Sequence, residues 1–179
     1  PGITANTELW NGSVWAETNN VNTARLFYNS STGTSTAALG VGGEPPIVAV
    51  VESWNGSSWT EVSDLNTARY SSGVSGTYTA ALAFGGDTPP TTTATETWNG
   101  SSWTEVNNLN TARNVLSGVG ASNTSALAFG GNGPGYLSST EDWNGTNWSN
   151  VTPMNTARFY MGHGGTSTAA LGFGGDTGS

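Results

Sequence analysis

The stretch TETWNGSSWTEVNNLNTAR, Thr95 to Arg113, occurs four times with small changes, and this repetition limits what the chain can fold into more than any other feature. Trp10, Trp54, Trp98 and Trp143 are spaced 44, 44 and 45 residues apart; Trp15, Trp59, Trp103 and Trp148 keep the same steps, as do Arg25, Arg69, Arg113 and Arg158. A second anchor, an apolar run closing in two glycines, ends at Gly43, Gly86, Gly131 and Gly175. A period in the forties fits either propeller blades or a helical array. Residue chemistry decides between them: Asn-Gly pairs punctuate short apolar runs, small polar residues dominate, and no segment keeps the i, i+3, i+4 spacing of a helix. The expected fold is all-β, a β-propeller of four four-stranded antiparallel blades. It forms one domain over residues 1–179, with repeats at about 4–43, 47–86, 91–131 and 136–175.

Within a repeat, Thr4 to Trp10 reads as a strand, Asn11-Gly12 as a two-residue type I′ turn and Val14 to Thr18 as the return strand. Asn55-Gly56, Asn99-Gly100 and Asn144-Gly145 repeat the arrangement. The polar elbow that follows ends in the arginine and holds one apolar residue, Val21, Leu65, Leu109 or Met154, placed to plug the core. Segments after the arginine, such as Ser71 to Gly76, are poor in bulk, as suits the crowded strand nearest a propeller axis. The nearly continuous apolar run Thr79 to Phe84 and its equivalents fit a second strand covered on both faces. All eight tryptophans are expected in the core, where burying about 200 Å² at ~25 cal/mol/Å² contributes roughly 5 kcal/mol each.

An apolar strand ending in Gly-Gly, then an aromatic residue, then Trp, then an apolar residue shortly before Arg resembles the kelch repeat. The similarity extends over all four repeats. It departs from the family in having Trp-Asn where Tyr-Asp is usual and a shortened hairpin between the two aromatics. The resemblance implies a binding scaffold much more often than an enzyme, and it supplies no catalytic residue.

The repeats are cut in mid-blade: the chain starts with the third and fourth strands of one blade and ends after the first and second of another. Pairing of residues 158–175 with residues 4–18 would fasten the ring through a composite blade and leave no open edge. The competing arrangements are four blades of a longer propeller, or two chains closing an eight-bladed ring. A start at Pro1 without a signal-like segment is expected of a processed or trimmed product, or of a fragment of something longer.

Twelve acidic residues against four arginines and no lysine give a net charge of −8, so there is no basic track for nucleic acid. No apolar run approaches the roughly 20 residues of a membrane helix, and membrane insertion is not expected. With no cysteine and His163 as the lone histidine, no metal site or cofactor is expected, and His163 reads as an inner-strand filler. A copper-radical oxidase resembling galactose oxidase needs more histidine and a cysteine. A sialidase-like site needs arginines freed from the repeat, whereas all four here are repeat-bound. Each is expected to hydrogen-bond loop carbonyls or to pair with the register-matched Glu8, Glu52, Glu96 and Glu141. Eight Asn-x-Ser/Thr matches are mostly a by-product of the Asn-Gly turns and of composition.

These features point to a non-enzymatic binding or structural module, extracellular or virion-associated in the manner of phage tail or capsid accessory proteins, contacting glycan or protein. The alternatives are an intracellular kelch-type adaptor and, less favoured, a propeller enzyme. Self-association into a larger ring is a further expectation. The Asn-Gly hairpins are nearly invariant, while the face carrying the arginine elbows and the loops after Gly-Gly varies between repeats. Contact is therefore expected there, with Tyr28, Tyr70, Tyr136 and Tyr160 as anchors beside Asn114 and Asp87.

Overall fold

The computed structural model describes residues 2–178, and among them there are sixteen β-strands and no helix. Strands β1 (Thr7–Trp10) and β2 (Trp15–Thr18) form a two-stranded sheet. Three four-stranded sheets follow. The first contains β3 (Ser31–Thr34), β4 (Ala37–Gly43), β5 (Val48–Trp54) and β6 (Trp59–Val62). The second contains β7 (Gly73–Thr77), β8 (Ala80–Phe84), β9 (Thr95–Trp98) and β10 (Trp103–Val106). The third contains β11 (Ser117–Ser122), β12 (Ser125–Phe129), β13 (Thr140–Trp143) and β14 (Trp148–Val151). A last two-stranded sheet holds β15 (Gly162–Thr166) and β16 (Ala169–Phe173). Every pairing is antiparallel between consecutive strands, so each sheet is a simple meander.

The hairpin between the tryptophans differs from the expected type I′ turn. Trp54 pairs with Trp59 and Trp98 with Trp103, with ring centroids 5.5 and 5.3 Å apart, so the strands close on the tryptophan pair and four residues remain in the connection. Only the glycine has positive φ, +94° at Gly56 and +95° at Gly100. This meets the requirement of a turn whose first central residue alone is left-handed. Asparagine serves instead through its side chain: Asn55 Oδ1 accepts the backbone N–H groups of Ser57 and Ser58, each at 2.9 Å. The carboxamide thus satisfies loop donors that no strand partner reaches.

The cores lie between successive sheets. Leu39, Val41 and Val51 of the first full sheet pack with Val74, Ala81, Ala83, Trp98 and Trp103 of the second. Leu82 and Phe84 of the second pack in turn with Ala126, Ala128, Trp143 and Trp148 of the third. Val21, Leu65 and Leu109 are buried as elbow plugs, and Met154 is partly buried. The lack of bulk in the first strands has a direct cause at Gly73 and Gly118. A Cβ on either would lie 2.4 or 2.5 Å from the ring of Phe84, which occupies that space. β11 lies beside β7 and β15, and β3 lies beside β7.

A fourth four-stranded sheet, expected from pairing of the two chain ends, is not formed: β1–β2 and β15–β16 remain separate. Each half is held by its own neighbour along the chain. Trp59 Nε1 donates to Thr7 Oγ1 at 3.0 Å, and Gly172 of β16 lies against the ring of Phe129. Neither contact needs the other half-sheet. The tryptophans follow suit: Trp54, Trp98, Trp103, Trp143 and Trp148 are buried and Trp59 is half-buried, but Trp10 and Trp15 are exposed because no sheet lies on their outer side.

Candidate functional site

Three of the four repeat-bound arginines are locked between sheets, while Arg158, also expected to pair, has no acidic partner among the described residues because no third strand lies beside β16. Arg25 pairs with Glu52, Arg69 with Glu96 at 3.0 Å and Arg113 with Glu141 at 2.5 Å, all with fully buried side chains. The carboxylate always comes from the repeat after the arginine's own. The asparagine three residues before each arginine completes the clasp: Asn66 N and Nδ2 donate to Glu96 Oε2 at 2.8 and 2.7 Å, and Asn110 does the same to Glu141 at 2.7 and 2.9 Å. Burial would raise the Glu52 carboxyl, but hydrogen bonds from Arg25 and Asn22 outweigh it and hold the group below its ordinary value. Burial pushes the Arg69 and Arg113 guanidinium groups down, opposed by Glu96 and Glu141. These arginines are committed to holding sheets together.

The Asn-Gly hairpins share one face with the turns between first and second strands, since Trp54, Trp98 and Trp143 each donate Nε1–H to a carbonyl there: Ser35, Tyr78 and Asn123. The other face carries the elbows and the loops after Gly-Gly. Backbone bridges tie the two together in each repeat: Leu26 to Glu44, Tyr70 to Asp87, Asn114 to Asn132 and Phe159 to Asp176.

On this second face the chain takes up unusual backbone. Tyr28 (φ 47°), Asn29 (69°), Ser71 (54°), Val115 (45°) and Tyr160 (52°) are the positive-φ residues other than glycine among those described, and all follow an arginine closely. Left-handed backbone is costly for such side chains, most of all for β-branched Val115, and persists only where the surroundings enforce it. Here the twisted amides link successive repeats: Val115 N donates to Ser71 O at 2.9 Å, and Tyr160 N to Val115 O at 3.3 Å.

The side chains assembled there include most of those singled out from sequence. The Tyr28 and Tyr70 rings lie 6.0 Å apart. Tyr70 Oη donates to Asp87 Oδ2 at 3.1 Å, and Asn114 Nδ2 donates to the same oxygen at 3.0 Å, so one carboxylate joins two successive repeats. Desolvation, followed by the hydrogen bond to Asp87, pushes the Tyr70 phenol up to about 12. Tyr28 is also raised, by desolvation and then by Glu44 and Tyr160 nearby. Tyr136 stands in a second group, stacked on Phe159 at 4.8 Å, and Phe159 touches Tyr160 at 5.0 Å. Tyr28, Tyr136 and Tyr160 are exposed. Glu44 joins the cluster without having been singled out from sequence. It stands in a Pro-rich connection, and only the backbone bridge to Leu26 reveals its neighbourhood.

The first strands of four repeats also line one cavity of about 320 Å³, with Ser31, Ser75, Val119 and His163 in its wall. Among the described residues no group of three or more His, Cys, Asp or Glu is placed to hold a metal ion. No helix among them is long and apolar enough to cross a membrane. Fold and site together define an all-β repeat protein with a loop-built aromatic and acidic face. No protein-family model matches the chain, and no curated protein matches it significantly.

Proposed function

We propose that the sheets are blades of a kelch-like β-propeller and that the protein is a non-enzymatic binding module, which recognises a glycan through the elbow face. Two arrangements support the propeller: the first strands lie side by side, and four of them line a common cavity. The observation that carries the binding reading is the convergence of Tyr28, Tyr70, Asp87 and Asn114 from successive repeats onto one face. Exposed aromatic rings offer stacking surface to the apolar face of a sugar. A carboxylate already fixed by a phenol and an amide is oriented to accept further hydroxyl groups. Burial of Arg25, Arg69 and Arg113 in ion pairs removes them from any anion-binding or catalytic role, which favours a module over an enzyme. An exterior or virion location agrees with a chain that has no lysine, no cysteine and few charges.

The test is a glycan array read with wild type and with Tyr28→Ala, Tyr70→Ala and Tyr160→Ala. Each variant is expected to bind the recognised glycan roughly tenfold more weakly or worse, as for a central aromatic anchor; Tyr28→Ala and Tyr160→Ala keep a melting temperature near that of wild type, whereas Tyr70→Ala also loses the hydrogen bond to Asp87 and melts lower. Unchanged binding in all three, together with loss of binding on substitution in the Asn-Gly hairpins, sinks the reading.

A further inference from the structure

Three contacts recur where one sheet meets the next, the third as packing alone at Trp103, which lies in one cluster with Val51 while its Nε1 makes no hydrogen bond. An arginine meets the glutamate of the following sheet, an asparagine clasps that same glutamate, and the second tryptophan of a hairpin reaches back to the preceding sheet. That last contact is seen in Trp59 Nε1 to Thr7 Oγ1 and Trp148 Nε1 to Thr95 Oγ1, and in Trp148 set edge-on to Phe84 at 4.9 Å. At the two ends of the repeat array the same groups stand half-made. Arg158 has no acidic partner among the described residues and donates only Nη2 to Gly172 O at 3.3 Å. With Phe129, Thr140, Met154 and Asn155 it lines an open cavity of about 490 Å³. At the other end Glu8 is exposed and makes no ion pair among the described residues, Trp15 is 65% exposed, and Glu8 and Gly40 border a second cavity of about 420 Å³. In the full sheets the second strand pairs with the third, for instance Ala128 with Glu141. The corresponding edges of β16 and β1 are unpaired. On β16, Phe173 is 56% exposed, whereas its counterparts Phe84 and Phe129 are at 0% and 4%.

We infer that these ends are a head-to-tail interface between copies of this chain: β1 of one copy adds to the edge of β16 of another, setting Gly172 opposite Glu8. Glu8 then reaches Arg158 and Asn155, and Trp15 enters the cavity beside Phe129, with its Nε1–H directed to Thr140. The charges, the donors and the apolar surfaces are complementary because every one repeats an interior contact. A second copy is the occupant because both half-sheets of one chain are already docked on their own neighbours and still leave their edges apart. The contact is heterologous, so copies join tail to head, and two of them make the smallest closed ring.

The experiment is native mass in solution over a range of concentration for wild type, Glu8→Arg and Arg158→Glu. Far-UV circular dichroism confirms that each variant is folded; Glu8 is exposed, so Glu8→Arg leaves the single chain intact. Wild type is expected to assemble. Either charge reversal is expected to weaken the contact about 10²- to 10³-fold per interface, as for a buried pair that loses one partner. Mixing the two variants restores assembly, because Arg at 8 then meets Glu at 158 and the native pair forms at the other junction. A wild type that stays monomeric at every concentration, as closure of a chain on itself would give, overturns the inference. So does an assembly that both reversals leave unchanged. Glu8 lies outside the tyrosine cluster, so loss of assembly in Glu8→Arg and loss of glycan binding in the tyrosine variants are distinguishable.

Discussion

Each interior arginine is held by a carboxylate that the next repeat supplies, and this gives single residues control over the joints between sheets. Truncating one member leaves the other charged and buried, so Arg113→Ala is expected to cost about 3–5 kcal/mol, read as a lower denaturation midpoint. The same clasp makes stability depend on acid. The Glu52 carboxyl sits below its ordinary value of 4.5 in the folded chain, so its contribution is complete above about that pH. The contribution disappears as pH falls through the folded value, where the native state must protonate a group that Arg25 and Asn22 prefer charged. Wild type should therefore lose melting temperature below about pH 4.5 more steeply than Glu52→Gln, with parallel curves counting against the clasp. Tyr70 behaves in the opposite sense. Its folded value of about 12 lies above the ordinary 10.0, so its stabilising effect is present below pH 10 and declines as the pH rises toward 12. Ultraviolet titration should show the Tyr70 phenol ionising late, and Asp87→Asn should bring it back toward the ordinary range.

At the scale of the hairpin, asparagine acts as a side-chain cap and glycine as the left-handed residue. Asn99→Ala removes the acceptor for the N–H groups of Ser101 and Ser102 and should cost about 1 kcal/mol. Gly100→Ala should cost at least as much, because φ is +95° there. Thermal melts of both variants check this, and an unchanged Asn99→Ala would show that water serves the loop equally well. Recurrence made most of this architecture legible: apolar runs closing in two glycines after a bulk-free segment identified β7 with β8 and their equivalents, and the single apolar residue of each elbow identified the plugs. The turn type was misread because Asn-Gly satisfies both the I′ pattern and the side-chain-capped one, and only the tryptophan pairing separates them. At the candidate site, sequence variability on one face picked out Tyr28, Tyr70, Asp87 and Asn114. The positive-φ stretch that gathers them leaves no mark in the sequence, since Tyr, Ser and Val occupy it where glycine would have signalled it. The partner of each arginine was ambiguous by one repeat, because the four glutamates hold the same repeat position, two residues before the first tryptophan, and only the packing of adjacent sheets chooses the following one.

For the whole molecule, the contacts that hold sheets together are concentrated at the middle of the array and thin out at both ends. The sheets β3–β6, β7–β10 and β11–β14 share two continuous apolar clusters and two of the three buried ion pairs. The half-sheets β1–β2 and β15–β16 each bury one side only, and Trp10, Trp15, Leu171 and Phe173 face outward. Local opening free energy follows buried contact, so amide protection should be graded along the chain. Native-state hydrogen exchange at low protein concentration should find β8, β9, β12 and β13 exchanging only through global unfolding. β1, β2, β15 and β16 should exchange through local fraying. The two half-sheets lie at opposite ends of the chain, yet β1 and β16 should gain protection together as concentration rises, since each is the other's missing neighbour across the proposed junction. The Glu8→Arg variant should keep the central gradient and lose that concentration-dependent gain. Equal protection across all sixteen strands at high dilution would mean that the two ends are already paired within one chain. Protection of β16 rising without β1 would mean that something other than a second copy covers its edge.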